Sequence, residues 1–105
     1  MFHLNVNVMY TKELIKEKLS SDVRWMERGV IVLLNRQTDE EKSSMSTILE
    51  NGRGFNGTDV RYLTWVGNYL LSGRHLSGHH IEKVGKKLPK YWKQIMEEIE
   101  LRSGS

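Results

Sequence analysis

Lys86, Lys87, Lys90 and Lys93 follow Lys83 at distances of three, four, seven and ten residues. On a helix those spacings gather side chains on one side, so five ammonium groups would face the same way. Such a row attracts a phosphate backbone, which releases its condensed counterions as it docks. Arg53 and Arg74 sit in two glycine-rich turns, Asn51–Gly57 and Gly73–Ser77. A guanidinium there can hold a phosphate through two parallel hydrogen bonds. Lysines also fill ordinary solvated faces, but such faces mix signs. This segment does not: from 51 to 96 there are eight Lys or Arg against two acids, a local net charge of +6. Residues 1–50 carry seven basic against eight acidic side chains, and 97–105 net −2. The expected nucleic-acid contacts are Arg53, Arg74, Lys83, Lys86, Lys87, Lys90 and Lys93.

Other chemistries are less well supported. The Asn51–Gly57 run has the glycines of a phosphate loop but not the terminal Lys-Ser/Thr of a Walker A motif, and no strand leads into it. Its glycines are better read as a tight turn stapled to the core by Phe55. A weaker phosphate role survives in the free N–H groups at the start of the following helix. His75, His79 and His80 cluster near Ser77, yet only Glu82 adds a nearby carboxylate, so no metal is expected. Trp25, Tyr62, Trp65, Tyr91 and Trp92 are candidates for stacking on bases of a single strand. Core packing is the better account of most, and Tyr91, beside Lys90 and off the inward stripe, is the best exposed candidate. No catalytic constellation is visible, and the chain reads as neither an enzyme nor a cofactor carrier.

The elements that must position these residues follow from periodicity and caps. Thr11 is suited to cap a helix to about Leu19, with Leu14, Ile15 and Leu19 on one side. Ser20, Ser21 and Asp22 can cap a second, to about Asn35, whose inward face is Val23, Met26, Val30, Leu33 and Leu34. The run Val30–Leu34 also suits a buried strand. Thr38 and Glu41, three apart, read as a capping box opening a short polar helix through Leu49. Asn56 or Thr58 can cap the next helix, with Asp59 near its first N–H groups. From Val60 to Leu71 apolar residues surround almost the whole circumference, the pattern of a central helix buried on more than one side. Gly73 stands where a C-terminal glycine cap belongs, and Ser77 is placed to cap the last helical region. There Ile81, Val84, Leu88, Trp92, Ile95 and Ile99 form the inward stripe. Pro89 removes a hydrogen bond within it, predicting a kink or two abutting helices.

Phe2, Leu4, Val6 and Val8 alternate with polar residues, the period of a half-buried strand. That strand must pair within the chain, pair across a dimer, or fray. The 105 residues make one domain by length. The boundaries read as 1–10 for an N-terminal extension or strand, 11–101 for a single helical domain, and 102–105 for a disordered tail. The fold class expected is all-α: a compact, mainly helical bundle of four to six helices, with the N-terminal β-strand as an addition. The absence of cysteine rules out disulfides and thiolate metal sites. With neither a signal-like leader nor an apolar run of membrane length, a cytoplasmic protein with no membrane partner is expected.

The pattern Arg36-Gln37-Thr38-x-Glu40, Asn51-Gly52-x-Gly54-Phe55-Asn56-x-x-Asp59, Gly73-Arg74-x-Leu76-Ser77 and Lys86-Lys87-Leu88-x-Lys90-Tyr91-x-x-Gln94 resembles a small helical module of phage and plasmid proteins. That module is sometimes appended to helicases and other replication or repair factors, and the likeness spans roughly residues 24–96. It implies a non-catalytic nucleic-acid-binding accessory protein, acting in the host cytoplasm if phage-encoded, with DNA and RNA both open. It equally admits a phage inhibitor of a host defence complex, of the anti-CRISPR kind, or a protein-binding adaptor. In that case Phe2, Leu4, Val6 and Val8 would add a strand to a partner's sheet edge or join a homodimer.

Overall fold

A computed structural model describes residues 10–43 and 54–104. Among these are five α-helices and one 3₁₀ turn, with no strand, so the protein is an all-α bundle. The expected N-terminal strand at Phe2, Leu4, Val6 and Val8 lies outside the described residues. So do residues 44–49 of the short helix drawn through Leu49, and residues 51–53 of the turn holding Arg53.

Helix α1 (Lys12–Ser21) begins where the Thr11 hydroxyl accepts from the Leu14 N–H at 3.1 Å. Asp22 separates it from α2 (Val23–Ser43) and serves both helices. Its own N–H donates to the Lys18 carbonyl at 2.9 Å, and its carboxylate accepts from the Arg24 N–H at 3.0 Å. Val30–Leu34 is helical, not a strand. Helix α2 also runs straight through the expected capping box, because the Thr38 hydroxyl donates back to the Leu34 carbonyl at 3.0 Å. A threonine that bonds the carbonyl four residues earlier lets the helix continue.

The predicted central helix is a second correction. Helix α3 (Val60–Leu71) packs chiefly on α2, through the buried face Leu63, Val66, Gly67 and Leu70. The helix that touches all the others is α2. Gly67 brings the two axes together: a Cβ there would stand 2.7 Å from the Leu34 Cδ2. The outer side of α3 faces solvent, with Trp65 49% and Leu71 59% exposed. Ser72 and Gly73, the latter at φ +96°, close its C-terminus as expected: the Gly73 N–H donates to the Leu70 carbonyl at 3.0 Å.

Helix α4 (His79–Lys87) has Gly78, at φ +59°, as its N-cap. Ser77 contributes its carbonyl, which accepts from the His80 N–H at 3.2 Å, and its hydroxyl makes no cap bond. Pro89 separates two helices rather than kinking one. It stands in the first turn of the 3₁₀ segment Leu88–Tyr91, where a missing N–H costs nothing, and α5 (Trp92–Gly104) follows directly. Helix α5 runs on past Arg102, where the sequence suggested a tail. The core is continuous: Ile15 and Leu19 of α1, Met26, Val30 and Leu33 of α2, Leu63 and Val66 of α3, then Val84, Leu88 and Ile95 are all but inaccessible. Burying each such side chain contributes roughly 1.5–3 kcal/mol.

Candidate nucleic-acid interface

The loop from Gly54 to Asp59 is held by side chains from three directions. The Gln94 amide pairs with Gly54 twice, accepting from its N–H at 2.8 Å and donating to its carbonyl at 3.0 Å. Gln37 Oε1 accepts from the Phe55 N–H at 3.2 Å. Gly54 lies at φ +83°, and a Cβ there would come within 2.6 Å of the Gln37 Cβ, so only glycine fits. Phe55 is buried edge-on to Tyr91, ring centroids 6.1 Å apart. Asn56 makes the turn into α3, its Oδ1 accepting from the Thr58 hydroxyl and the Asp59 N–H.

Asp59 stands directly before α3, yet its side chain makes no bond to the helix's first N–H groups. Its carboxylate turns inward and is 1% exposed. Oδ2 accepts from the Tyr91 hydroxyl at 2.7 Å and from Lys90 Nζ at 2.8 Å, while Oδ1 accepts from Lys87 Nζ at 3.3 Å. The Tyr91 hydroxyl in turn accepts from the Asn56 N–H at 3.0 Å. Burial works to raise the Asp59 carboxyl, but hydrogen bonds from Lys90, Tyr91 and Lys87 outweigh it and hold the pKa below the usual carboxylate value. Burial, with the neighbouring carboxylate, pushes the Tyr91 hydroxyl strongly upward.

The lysine row is therefore divided. Lys87 and Lys90 neutralise a carboxylate inside the molecule. Lys86 is exposed on α4, and Lys93, also exposed, lies beyond the 3₁₀ turn in α5. Tyr91, the expected exposed stacker, is core, at 5% exposure.

Among the described aromatics Trp65 is the exposed one, and it lies on α3 between the half-buried Tyr62 and Tyr69. Tyr62, Trp65 and Tyr69 follow one another at three and four residues, one face of a helix. Their rings form a near-parallel series: Tyr69 to Trp65 is 5.2 Å and Trp65 to Tyr62 is 6.2 Å between centroids, each pair inclined by 23°. His80 of α4 packs beside both Tyr62 and Trp65, 6.0 Å from Tyr62 at 18° and 5.4 Å from Trp65 at 38°, and its Nδ1 lies 2.7 Å from the Tyr62 hydroxyl. Cations stand at both ends. The Arg74 guanidinium is 5.6 Å from the Tyr69 ring, and Lys83 Nζ is 4.4 Å from that of Tyr62, each within cation–π range. Arg61 is exposed one turn before Trp65. The structure thus brings Arg74 and Lys83 to one ladder, which the lysine spacing alone did not indicate. A signal was present: on α3 the aliphatic positions 63, 66 and 70 and the aromatic positions 62, 65 and 69 form separate stripes.

Among the described residues no three side chains that could ligate a metal ion converge. His75 meets Glu27 instead, Nδ1 to Oε1 at 3.2 Å. Nor is any helix among the described residues long and apolar enough to cross a membrane.

Residues carrying the phage-module resemblance mostly meet inside the protein. Arg36 Nη1 donates to the Gln94 carbonyl at 2.9 Å, and Gln37, Gly54, Phe55, Asn56, Asp59, Lys90, Tyr91 and Gln94 complete one connected network. That pattern describes how the fold is tied together more than what its surface does. No protein-family model matches the chain, and neither a curated protein nor a solved structure does.

Proposed function

We propose that this chain is a small, non-catalytic accessory protein of the phage or plasmid kind that binds single-stranded nucleic acid. Bases stack along Tyr69, Trp65, Tyr62 and His80, while Arg61, Arg74, Lys83 and Lys86 take the phosphates. The observation that carries this reading is the exposure of Trp65 between the half-buried Tyr62 and Tyr69, each of which has a cation over its ring. Exposed aromatic surface is costly in water unless something covers it, and a base offers a flat face of matching chemistry. The flanking positive charge selects a polyanion as that cover, and stacking, indifferent to base identity, gives weak sequence preference. A duplex hides its base faces and is the poorer ligand. The alternative, a protein-binding inhibitor working through Phe2, Leu4, Val6 and Val8, depends on residues outside the described ones.

Fluorescence anisotropy of labelled single-stranded and duplex DNA and RNA tests the proposal. Single strands should bind more tightly, with log K falling against log salt at a slope of about −3 for some four neutralised phosphates. Lys83→Glu with Lys86→Glu should abolish binding without unfolding the protein, because neither lysine supports Asp59. No single-strand binding at low salt overturns the reading.

A further inference from the structure

His80 is the imidazole of the ladder, and stacking alone does not account for its polar contact. The ring is half-buried against Tyr62 and Trp65, and its Nδ1 is 2.7 Å from the Tyr62 hydroxyl, so one hydrogen lies between the two atoms. Burial raises the Tyr62 hydroxyl above its usual value, so it keeps its proton near neutral pH. A neutral imidazole with its hydrogen on Nε2 accepts through Nδ1, and the Tyr62 O–H then points at His80. An imidazolium donates from both nitrogens, so the bond reverses: Nδ1–H donates, the tyrosine oxygen accepts, and the Tyr62 hydrogen turns outward. The surroundings are mainly cationic. On α4 stand Lys83 and Lys87, with Nζ 4.4 and 6.0 Å from the Tyr62 ring centroid, and the exposed His79, whose ring is 4.6 Å from that of His80. Arg61 is exposed next to Tyr62 on α3, and Lys90 of the 3₁₀ turn is held by Asp59. Glu82, in the first turn of α4, is two residues from His80 and so on another side of the helix. Helices α1 and α2 meet α4 at Gly85 through the Ser20 carbonyl and Met26, neither of them charged.

We propose that strand binding is linked to a proton on His80: its imidazolium and the outward-turned Tyr62 hydroxyl together hold one backbone phosphate at the Lys83 end of the ladder. This rests on the ladder reading and adds its regulation. Protonation supplies a positive charge and releases a hydroxyl donor in one step, and a phosphodiester accepts from both. Neutral His80 supplies neither, because it holds the Tyr62 hydrogen itself. A phosphate beside His80 favours the charged ring, so strand and proton bind together.

The test is an anisotropy titration of labelled oligothymidine at about pH 8 and about pH 5.5, the ends of the interval in which imidazole side chains take up a proton. Ionic strength is held constant, and neither thymine nor a phosphodiester titrates in that interval. The readout is the ratio of the two affinities within each protein, so that a change in overall binding cancels. Wild type should bind about tenfold more tightly at the acid end. His80→Gln, which keeps a polar partner for Tyr62, should bring the ratio close to unity. Tyr62→Phe should lose part of it, since the charge stays and the hydroxyl goes, and His79→Gln should keep it. Circular dichroism at both pH values checks that each variant is folded. A wild-type ratio near unity, or a ratio that survives in His80→Gln, overturns the proton link and leaves the ladder standing. If no strand binds at either pH at low salt, both fall together.

Discussion

Two sides of α3 use the same side chains differently. At its N-terminal end, Lys87 and Lys90 point at a carboxylate that water hardly reaches. On its outer face, Lys83 and Arg74 lie over rings that water does reach. Lys87 marks the boundary, with its Nζ 3.3 Å from Asp59 and 6.0 Å from the Tyr62 ring centroid. A row of lysines in a sequence therefore need not be one surface. Where a buried acid lies within reach, it claims the nearest cations, and only the remainder can serve a partner.

The sharpest way to break this contrast is Asp59→Ala. It strands the Tyr91 hydroxyl and removes the tie between the Gly54–Asp59 loop and the 3₁₀ turn. A loss of about 3 kcal/mol in unfolding free energy is expected from urea titration, with strand binding intact where the variant remains folded. Trp65→Ala should do the opposite. Strand affinity should fall by about 2 kcal/mol, roughly thirtyfold, while stability, followed by the same titration, moves by less than about 1 kcal/mol because the ring is half exposed. Gly67→Ala probes the seam between the two sides. Its Cβ meets Leu34 Cδ2 at 2.7 Å, so the α2–α3 contact must open slightly, at a cost of about 1–2 kcal/mol in thermal unfolding. Lys83→Ala is the mildest, lowering the magnitude of the salt slope by about 0.7.

Acid sharpens the comparison without a mutation. The folded-state pKa of Asp59 is depressed, so its contribution to stability is fully present above the unfolded carboxylate value near 4 and is lost as pH falls through the lower folded value. Urea midpoints measured from pH 6 downward should therefore drop more steeply for wild type than for Asp59→Asn. Parallel curves would show that the carboxylate contributes little as an ion.

Much of the fold is legible in local signals. Thr11, Asp22 and Gly73 mark helix ends by chemistry that needs no distant partner, and Val84, Leu88, Ile95 and Ile99 keep their inward stripe across the Pro89 break. The errors have one physical source, which is that local signals compete with long-range ones. Thr38 and Glu41 form a plausible helix start, but a helix already under way offers Thr38 the Leu34 carbonyl. Asp59 reads only as lying near the first N–H groups of α3, and nothing local shows that its carboxylate meets Lys87, Lys90 and Tyr91, some thirty residues on. A helical wheel that scores Tyr and Trp with Leu and Val calls α3 buried all round, although rings with polar tips stack at the surface where aliphatic chains would not. The same blurring places Trp65 inside, whereas Tyr91 reads as exposed because it stands beside Lys90 and off the inward stripe. The candidate site was half legible: Lys83 comes from the lysine spacing and Arg74 from its glycine-rich turn, and the ladder needed the aliphatic and aromatic positions to be read as two stripes.

The most direct test of the central claim is an NMR titration with a single-stranded oligothymidine, following the indole N–H resonances of Trp25, Trp65 and Trp92. Trp25 is buried, Trp92 lies partly buried at the start of α5, and Trp65 stands in the ladder. The Trp65 resonance should shift progressively and saturate, with neighbouring amides of α3 and residues 74–76, while the other two stay in place. A Trp65 resonance that does not move while amides around Lys86 and Lys93 do would contradict the ladder and return the protein to simple electrostatic docking.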